Sequence, residues 1–113
     1  MSLTMGFPNA TLAGNVLSIP PGTYGGIFMT AKVYNGPLVI DAQGSTFTGT
    51  VYLPATLTDV DFINFKFFGV QNECFRWSND EITEGLVNVR LLDMTVDDCD
   101  SFCLIGSWSK ISL

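Results

Sequence analysis

The sequence predicts an all-β solenoid, and three observations predict it. No window of 11–18 residues places apolar side chains at the i, i+3, i+4, i+7 spacing of an amphipathic helix. Short runs of β-branched and aromatic residues recur instead, bounded by Gly, Asn, Asp and Pro. The runs repeat at intervals of 20–30 residues, which is the mark of a stacked-coil architecture.

In chain order the expected strands are Val16–Ile19, Ile27–Met29, Leu38–Asp41, Thr46–Thr48, Val51–Leu53, Val60–Phe68, Cys74–Trp77, Leu86–Leu92, Met94–Val96, Phe102–Ile105 and Lys110–Leu113. Pro20-Pro21-Gly22, Asn35-Gly36-Pro37, Gln43-Gly44, Asn79-Asp80 and Asp97-Asp98 separate them. These are turn formers because Pro fixes φ and Gly and Asn accept positive φ. In Phe65-Lys66-Phe67-Phe68 the alternation breaks. Phe65 and Phe67 are expected to point inward and Lys66 and Phe68 outward, or the strand bends there.

The repeat separates a solenoid from a sandwich or barrel. Leu38–Asp41, Thr58–Phe65, Gly85–Asp93 and Ser109–Leu113 are alternating strands at one phase, about 21, 27 and 22–24 residues apart. The longest spacing holds the polar stretch Ser78–Glu84, read as a loop bulging from one coil. A hairpin protein would show two-residue Asn-Gly or Asp-Gly turns between neighbours. Here Asn35-Gly36 is the one example, and Pro37 follows it. Val39, Phe62, Val89 and Ile111 are therefore expected in parallel strands of one stack.

Composition narrows the function. The 113 residues make one domain at most, with 47% hydrophobic and 14% charged residues against roughly 25% charged in typical globular chains. The net charge of −6 argues against nucleic acid as a partner, since phosphate binding needs a basic patch. No stretch of 18 apolar residues exists, so no membrane insertion is expected. The chain has no histidine. Ser-His-Asp and Cys-His nucleophile systems and His-ligated zinc are excluded with it. The three cysteines, Cys74, Cys99 and Cys103, read as small buried hydrophobes rather than a disulfide framework.

Ile19-Pro20-Pro21-Gly22-Thr23-Tyr24 resembles the opening coil of the pectate-lyase-like superfamily, phage tailspikes included. Leu38-Val39-Ile40-Asp41-Ala42-Gln43-Gly44-Ser45-Thr46-Phe47 resembles its next coil, and Val87–Leu92, Asp98–Ser101, Leu104–Ser107 and Lys110–Leu113 resemble later ones. The resemblance implies a right-handed parallel β-helix of about four to five coils over residues 14–113. Residues 1–13 are expected to be an N-terminal cap or leader, with Met5, Phe7 and Leu12 over the first coil. The motifs mark a fold and not a chemistry, because the same coil carries lyases, hydrolases and inert spikes.

Candidate sites follow. Asp80–Asp100 holds seven of the eleven carboxylates. Stacked coils could bring Asp80 and Glu81 over Asp97 and Asp98, an oxygen-rich set suited to calcium, which pectate-lyase-like enzymes hold on such a face. The bland reading is solvated turns, and no cofactor is expected. Asp97-Asp98-Cys99 resembles the paired-Asp coil of polygalacturonase-type hydrolases, but the Asn-Thr-Asp element and the histidine of that pattern are missing. Arg76 and Arg90 are candidates for the arginine base of the lyases, although arginine is a poor base. Phe68, Trp77, Trp108 and Tyr52 are outward candidates for a subunit interface or for stacking on sugar rings, the interface being favoured. Thr46, Thr48 and Thr50 form a Thr-x-Thr-x-Thr run that is not repeated at the same spacing, so it is read as β propensity.

The functional expectation is a non-catalytic structural or interaction module, tailspike-like or cell-surface. It is expected to self-associate as a dimer or trimer, to contact polysaccharide, and to be extracellular or part of a virion. The alternative is the N-terminal part of a polysaccharide lyase or glycoside hydrolase.

Overall fold

A computed structural model describes residues 6–29, 33–54, 56–77, 86–105 and 109–112. Every regular element among them is a strand: β1 (Thr11–Ala13), β2 (Val16–Ser18), β3 (Thr23–Tyr24), β4 (Ile27–Phe28), β5 (Val33–Asp41), β6 (Thr46–Phe47), β7 (Val51–Tyr52), β8 (Thr56–Ile63), β9 (Lys66–Phe68), β10 (Glu73–Trp77), β11 (Leu86–Leu92), β12 (Thr95–Asp97), β13 (Ser101–Ile105) and β14 (Ser109–Ser112). The expected run Val60–Phe68 is two strands, β8 and β9. β1 and β3 are strands that the sequence pattern did not signal.

The strands form three sheets. Sheet A has the order β1-β2-β5-β8-β11-β14, sheet B β3-β6-β9-β12 and sheet C β4-β7-β10-β13. From β2 onward the chain visits A, B and C in turn, and each return adds a parallel neighbour to the strand laid down before. Val39, Phe62, Val89 and Ile111 lie on β5, β8, β11 and β14, parallel strands of sheet A.

Parallel pairing puts like above like. Leu17 pairs with Ile40, Ile40 with Phe62 and Phe62 with Leu91, and all four are buried. In sheet B, Tyr24, Phe47 and Phe67 are successive partners. The Tyr24 and Phe47 rings stack at 5.5 Å, and Phe47 lies 5.8 Å from Phe67. In sheet C, Ile27, Val51 and Phe75 form the buried row. Phe62, Phe65 and Phe67 all meet Phe75, at 5.5, 5.7 and 5.1 Å, so the three sheets share one aromatic interior. Burying such rings is the main favourable contribution to this fold, about 1.5–3 kcal/mol each.

The corners depend on left-handed backbone, and the side chains that adopt it are those that tolerate it. Gln43, Asn64 and Asp93 have φ of 54°, 59° and 53° where the chain turns from sheet A to sheet B. Asp98 (φ 53°) and Gly69 (φ 66°) do the same between B and C, and Asp59 and Asn88 bend β8 and β11. Asn and Asp carry this conformation at lower cost because their short polar groups bond locally. The Asp41 carboxylate accepts the Gln43 N–H at 2.8 Å and the Asn64 amide at 3.0 Å, which ties two turns together. Asn88 donates to Asp59 at 2.6 Å. Asn64 is what divides β8 from β9. Beyond it Phe65 and Phe67 are buried while Lys66 and Phe68 are exposed.

The first described residues close one end of the stack. β1 pairs antiparallel along the outer edge of β2. The Gly6 backbone lies so close to the Phe28 carbonyl that a Cβ there would collide with it. Phe7 is fully buried, edge-on to Phe47 and Phe65 at 6.4 and 6.1 Å. Of the other expected covering residues, Leu12 is exposed, and Met5 is outside the described residues.

The outer face of sheet B carries a row the sequence spacing did not reveal. Thr23 pairs with Thr46, Thr46 with Lys66 and Lys66 with Thr95. Threonine therefore recurs at three of four levels, and Lys66 interrupts it.

Candidate functional site

The connections from sheet B to sheet C stack on one another. Gly25-Gly26 joins β3 to β4, Thr48–Thr50 joins β6 to β7, and Gly69–Asn72 joins β9 to β10. Together with Phe28 and Tyr52 these connections line an open groove of about 400 Å³. Glycine makes the floor: a Cβ at Gly49 would lie 2.5 Å from the Gly26 nitrogen, so the two turns approach closely only without a side chain there. Ile27 N–H donates to the Thr50 carbonyl at 2.9 Å and fixes the two levels.

Phe28 and Tyr52 form the wall on the sheet C side. Register places Phe28 beside Tyr52 and Tyr52 beside Arg76, all on the outward side of Ile27, Val51 and Phe75. The Phe28 and Tyr52 rings are parallel within 2° at a centroid distance of 4.3 Å. Phe28 nevertheless stays 71% exposed, the most exposed of the large apolar side chains described. On the sheet B side the groove is lined by Thr48, whose hydroxyl donates to the Tyr24 carbonyl at 3.3 Å. At the far side Gln71 and Asn72 are exposed, with no hydrogen bond to their amides among the described residues. Among the described residues its lining holds no Asp, Glu, Lys or Arg.

A second cleft, about 440 Å³, lies at the corner between sheets A and B. Gly44, Asn64, Lys66, Asp93, Met94 and Thr95 line it. Among the described residues its lining carries one lysine, one aspartate and no aromatic side chain.

The two arginine candidates are set apart from each other and from the Asp97–Asp98 pair. Arg76 is on β10 of sheet C, Arg90 on β11 of sheet A, and Asp97 on β12 of sheet B. Arg76 pairs with Glu73 at 3.7 Å. Arg90 reaches across to Asp61 on the neighbouring strand and donates two hydrogen bonds, Nε to Oδ1 at 2.8 Å and a second to Oδ2. The hydrogen bonds and charge of Asp61 raise the Arg90 pKa, the opposite of what a base needs. Asp97 and Asp98 are both exposed, Asp98 on left-handed backbone, and the Cys99 thiol bonds to the Asp97 carbonyl at 3.2 Å. Of the calcium candidates, Asp80 and Glu81 lie outside the described residues. Among the described residues no three His, Cys, Asp or Glu side chains converge as a metal site.

The four aromatic candidates fare differently. Tyr52 is in the groove wall, and Phe68 is 52% exposed on the outer face of sheet B, immediately before the groove residue Gly69. The backbone of Trp77 ends β10, paired with Ile105, but its side chain and all of Trp108 are outside what is described. Sequence reasoning missed Phe28, Gln71 and Asn72. A signal existed: Ile27-Phe28, Val51-Tyr52 and Phe75-Arg76 repeat an apolar residue followed by a large planar one at each pass through sheet C.

Comparison of the chain with protein-family models, with curated proteins and with solved structures gives no match.

Proposed function

We propose that the cyclic A-B-C strand order is that of a right-handed parallel β-helix of the pectate-lyase-like kind, and that the chain is a non-catalytic interaction module contacting polysaccharide. The observation that carries this reading is the parallel Phe28–Tyr52 pair standing exposed in a groove lined by threonines and amides. Aromatic faces with adjacent hydroxyls and amides suit sugar rings, whose C–H faces are apolar and whose edges are polar. The absence of histidine from the chain and the raised pKa of Arg90 support binding over cleavage. The acidic net charge supports a partner other than nucleic acid.

Self-association belongs to the same proposal. Phe68 on sheet B and Leu12 on β1 are exposed apolar side chains away from the groove lining, and they suit contact with a second copy. Calcium and the paired carboxylates at Asp97 and Asp98 belong to the alternative, a fragment of a lyase or hydrolase.

The test is affinity electrophoresis through gels containing single polysaccharides, with assays for reducing ends and unsaturated products on the same polymers. Retardation without product is the expected result. Product release by the wild-type chain, lost on substitution of Arg76, Arg90, Asp97 or Asp98, overturns the non-catalytic reading.

A further inference from the structure

We infer that the outer face of sheet B is a two-fold contact with a second copy of the chain, in which Lys66 of each copy meets Asp97 of the other around paired Phe68 rings. The inference rests on the self-association reading above and goes on to the face, the symmetry and the contacts.

The strands that build this face, β3, β6, β9 and β12, are described in full. Register fixes what stands on it. Phe47, Phe67 and Val96 are successive partners on the inward row, so Lys66, Phe68, Thr95 and Asp97 alternate outward. All four are exposed, Phe68 by 52%. Lys66 lies beside Thr95, and Phe68 beside Asp97. The four positions form a rectangle, with Lys66 and Asp97 on one diagonal and Phe68 and Thr95 on the other. The ion pairs among the described residues are Arg76–Glu73 and Arg90–Asp61, so Lys66 and Asp97 are not paired there.

Strand geometry gives the rectangle sides of about 6.6 and 4.8 Å, and a diagonal of about 8 Å. A two-fold axis in the plane of the face, through its centre and square to the Lys66–Asp97 diagonal, exchanges those two positions. Each lysine then faces an aspartate of the other copy, twice per dimer. The same axis runs close to the second diagonal, so Phe68 faces Phe68 and Thr95 faces Thr95. The strands of the two copies cross steeply, as in orthogonal sheet packings. A two-fold contact must be self-complementary, and one cation diagonal to one anion satisfies that condition.

Charge selects the occupant. Each copy carries −6, so two copies repel unless opposite charges meet locally. The Lys66–Asp97 exchange supplies that meeting. An apolar surface would leave both charges dry and unpaired, and a polyanion would meet Asp97. The face is four short strands wide, well under the about 800 Å² that each partner gives to a stable complex, so the dimer is transient.

The experiment is sedimentation velocity of the full chain from about 10 μM to about 1 mM, where contacts of this size associate. The wild-type chain is compared with Phe68→Ala, Lys66→Glu and Asp97→Lys, each checked by its melting temperature. The expected result is a monomer–dimer equilibrium. Phe68→Ala weakens it about tenfold, and each charge variant alone weakens it about as much, because like charges then meet. An equimolar mixture of Lys66→Glu and Asp97→Lys recovers the dimer. That rescue has to come from contact between chains, because neither variant carries opposite charges at both positions. Salt at about 1 M, which screens beyond about 3 Å, weakens the wild-type dimer several-fold, a measurement that needs no variant. A mixture that stays monomeric, or a dimer tightened by salt, overturns the charge exchange. A dimer that withstands Phe68→Ala and both charge variants overturns sheet B as the contact and leaves self-association in place. A closed trimer overturns the two-fold arrangement and likewise leaves self-association in place. A monomer throughout the range overturns both.

Discussion

Truncating Phe7 to alanine tests how the described residues before β1 are held against the three sheets. The ring is fully buried and meets Phe47 and Phe65 edge-on. Returning a phenylalanine side chain to water costs about 1.5–3 kcal/mol. Each edge-to-face pair adds about 0.5–1.5 kcal/mol. The sum is about 2.5–6 kcal/mol, which brackets the about 3–5 kcal/mol found for buried phenylalanine truncations. A chain of this length is stabilised by roughly 6–17 kcal/mol in total, so the variant loses a large share. With a urea m-value of about 1–3 kcal/mol/M, the midpoint falls by about 2 M. Phe47→Ala, on a strand paired at both sides, is the reference because no segment can lift away to relieve its cavity. The segment carrying Phe7 can detach, so its loss is expected to equal or fall below that of Phe47→Ala and to leave residues 6–13 open to protease. A midpoint shift under about 0.3 M for Phe7→Ala, with the segment still protected, would refute the plug.

Three further outcomes follow from the same structure. Asp93, exposed at φ 53°, is expected to accept glycine with little change, while Asp93→Val loses about 1–2 kcal/mol by urea denaturation, because a β-branched side chain resists left-handed backbone. The Arg90–Asp61 pair is exposed, so Arg90→Gln should change the melting temperature little, and less in high salt. Its raised pKa places the alkaline loss of any contribution where pH rises through the arginine range, so melting between pH 6 and 9 should show no step from this pair. Deleting Lys110–Leu113 removes most of β14 and uncovers the edge of β11. Reduced solubility is expected, and unchanged solubility and melting would contradict it.

The parallel stack was legible because in-register pairing imposes the same choice at each level. Leu17, Ile40, Phe62 and Leu91 are apolar for one reason, and the sequence repeats that reason at each turn. The division of Val60–Phe68 at Asn64 was legible only as a broken alternation, since φ depends on the neighbouring coil as well as on the residue. β1 and β3 were not legible: Thr11-Leu12-Ala13 has one large apolar residue, and Thr23-Tyr24 follows directly on the Pro20-Pro21-Gly22 turn. Tyr52 and Phe68 were visible as aromatics at outward positions. The groove was not, because it arises where Gly26, Gly49 and Gln71 meet across three connections, and each connection alone reads as an ordinary turn. The threonine row failed to show for a similar reason: Thr23, Thr46 and Thr95 align by register, while the visible run Thr46–Thr50 leaves sheet B after Phe47.

The most direct test of the account is a two-dimensional amide NMR titration of the wild-type chain with an oligosaccharide cut from the polysaccharide that retards it best. The account predicts that the largest shifts fall on Gly26, Phe28, Gly49, Tyr52, Gln71 and Asn72, in one saturable process absent from Phe28→Ala. Shifts centred on Asn64, Lys66, Asp93 and Thr95 would place binding at the other corner and contradict it.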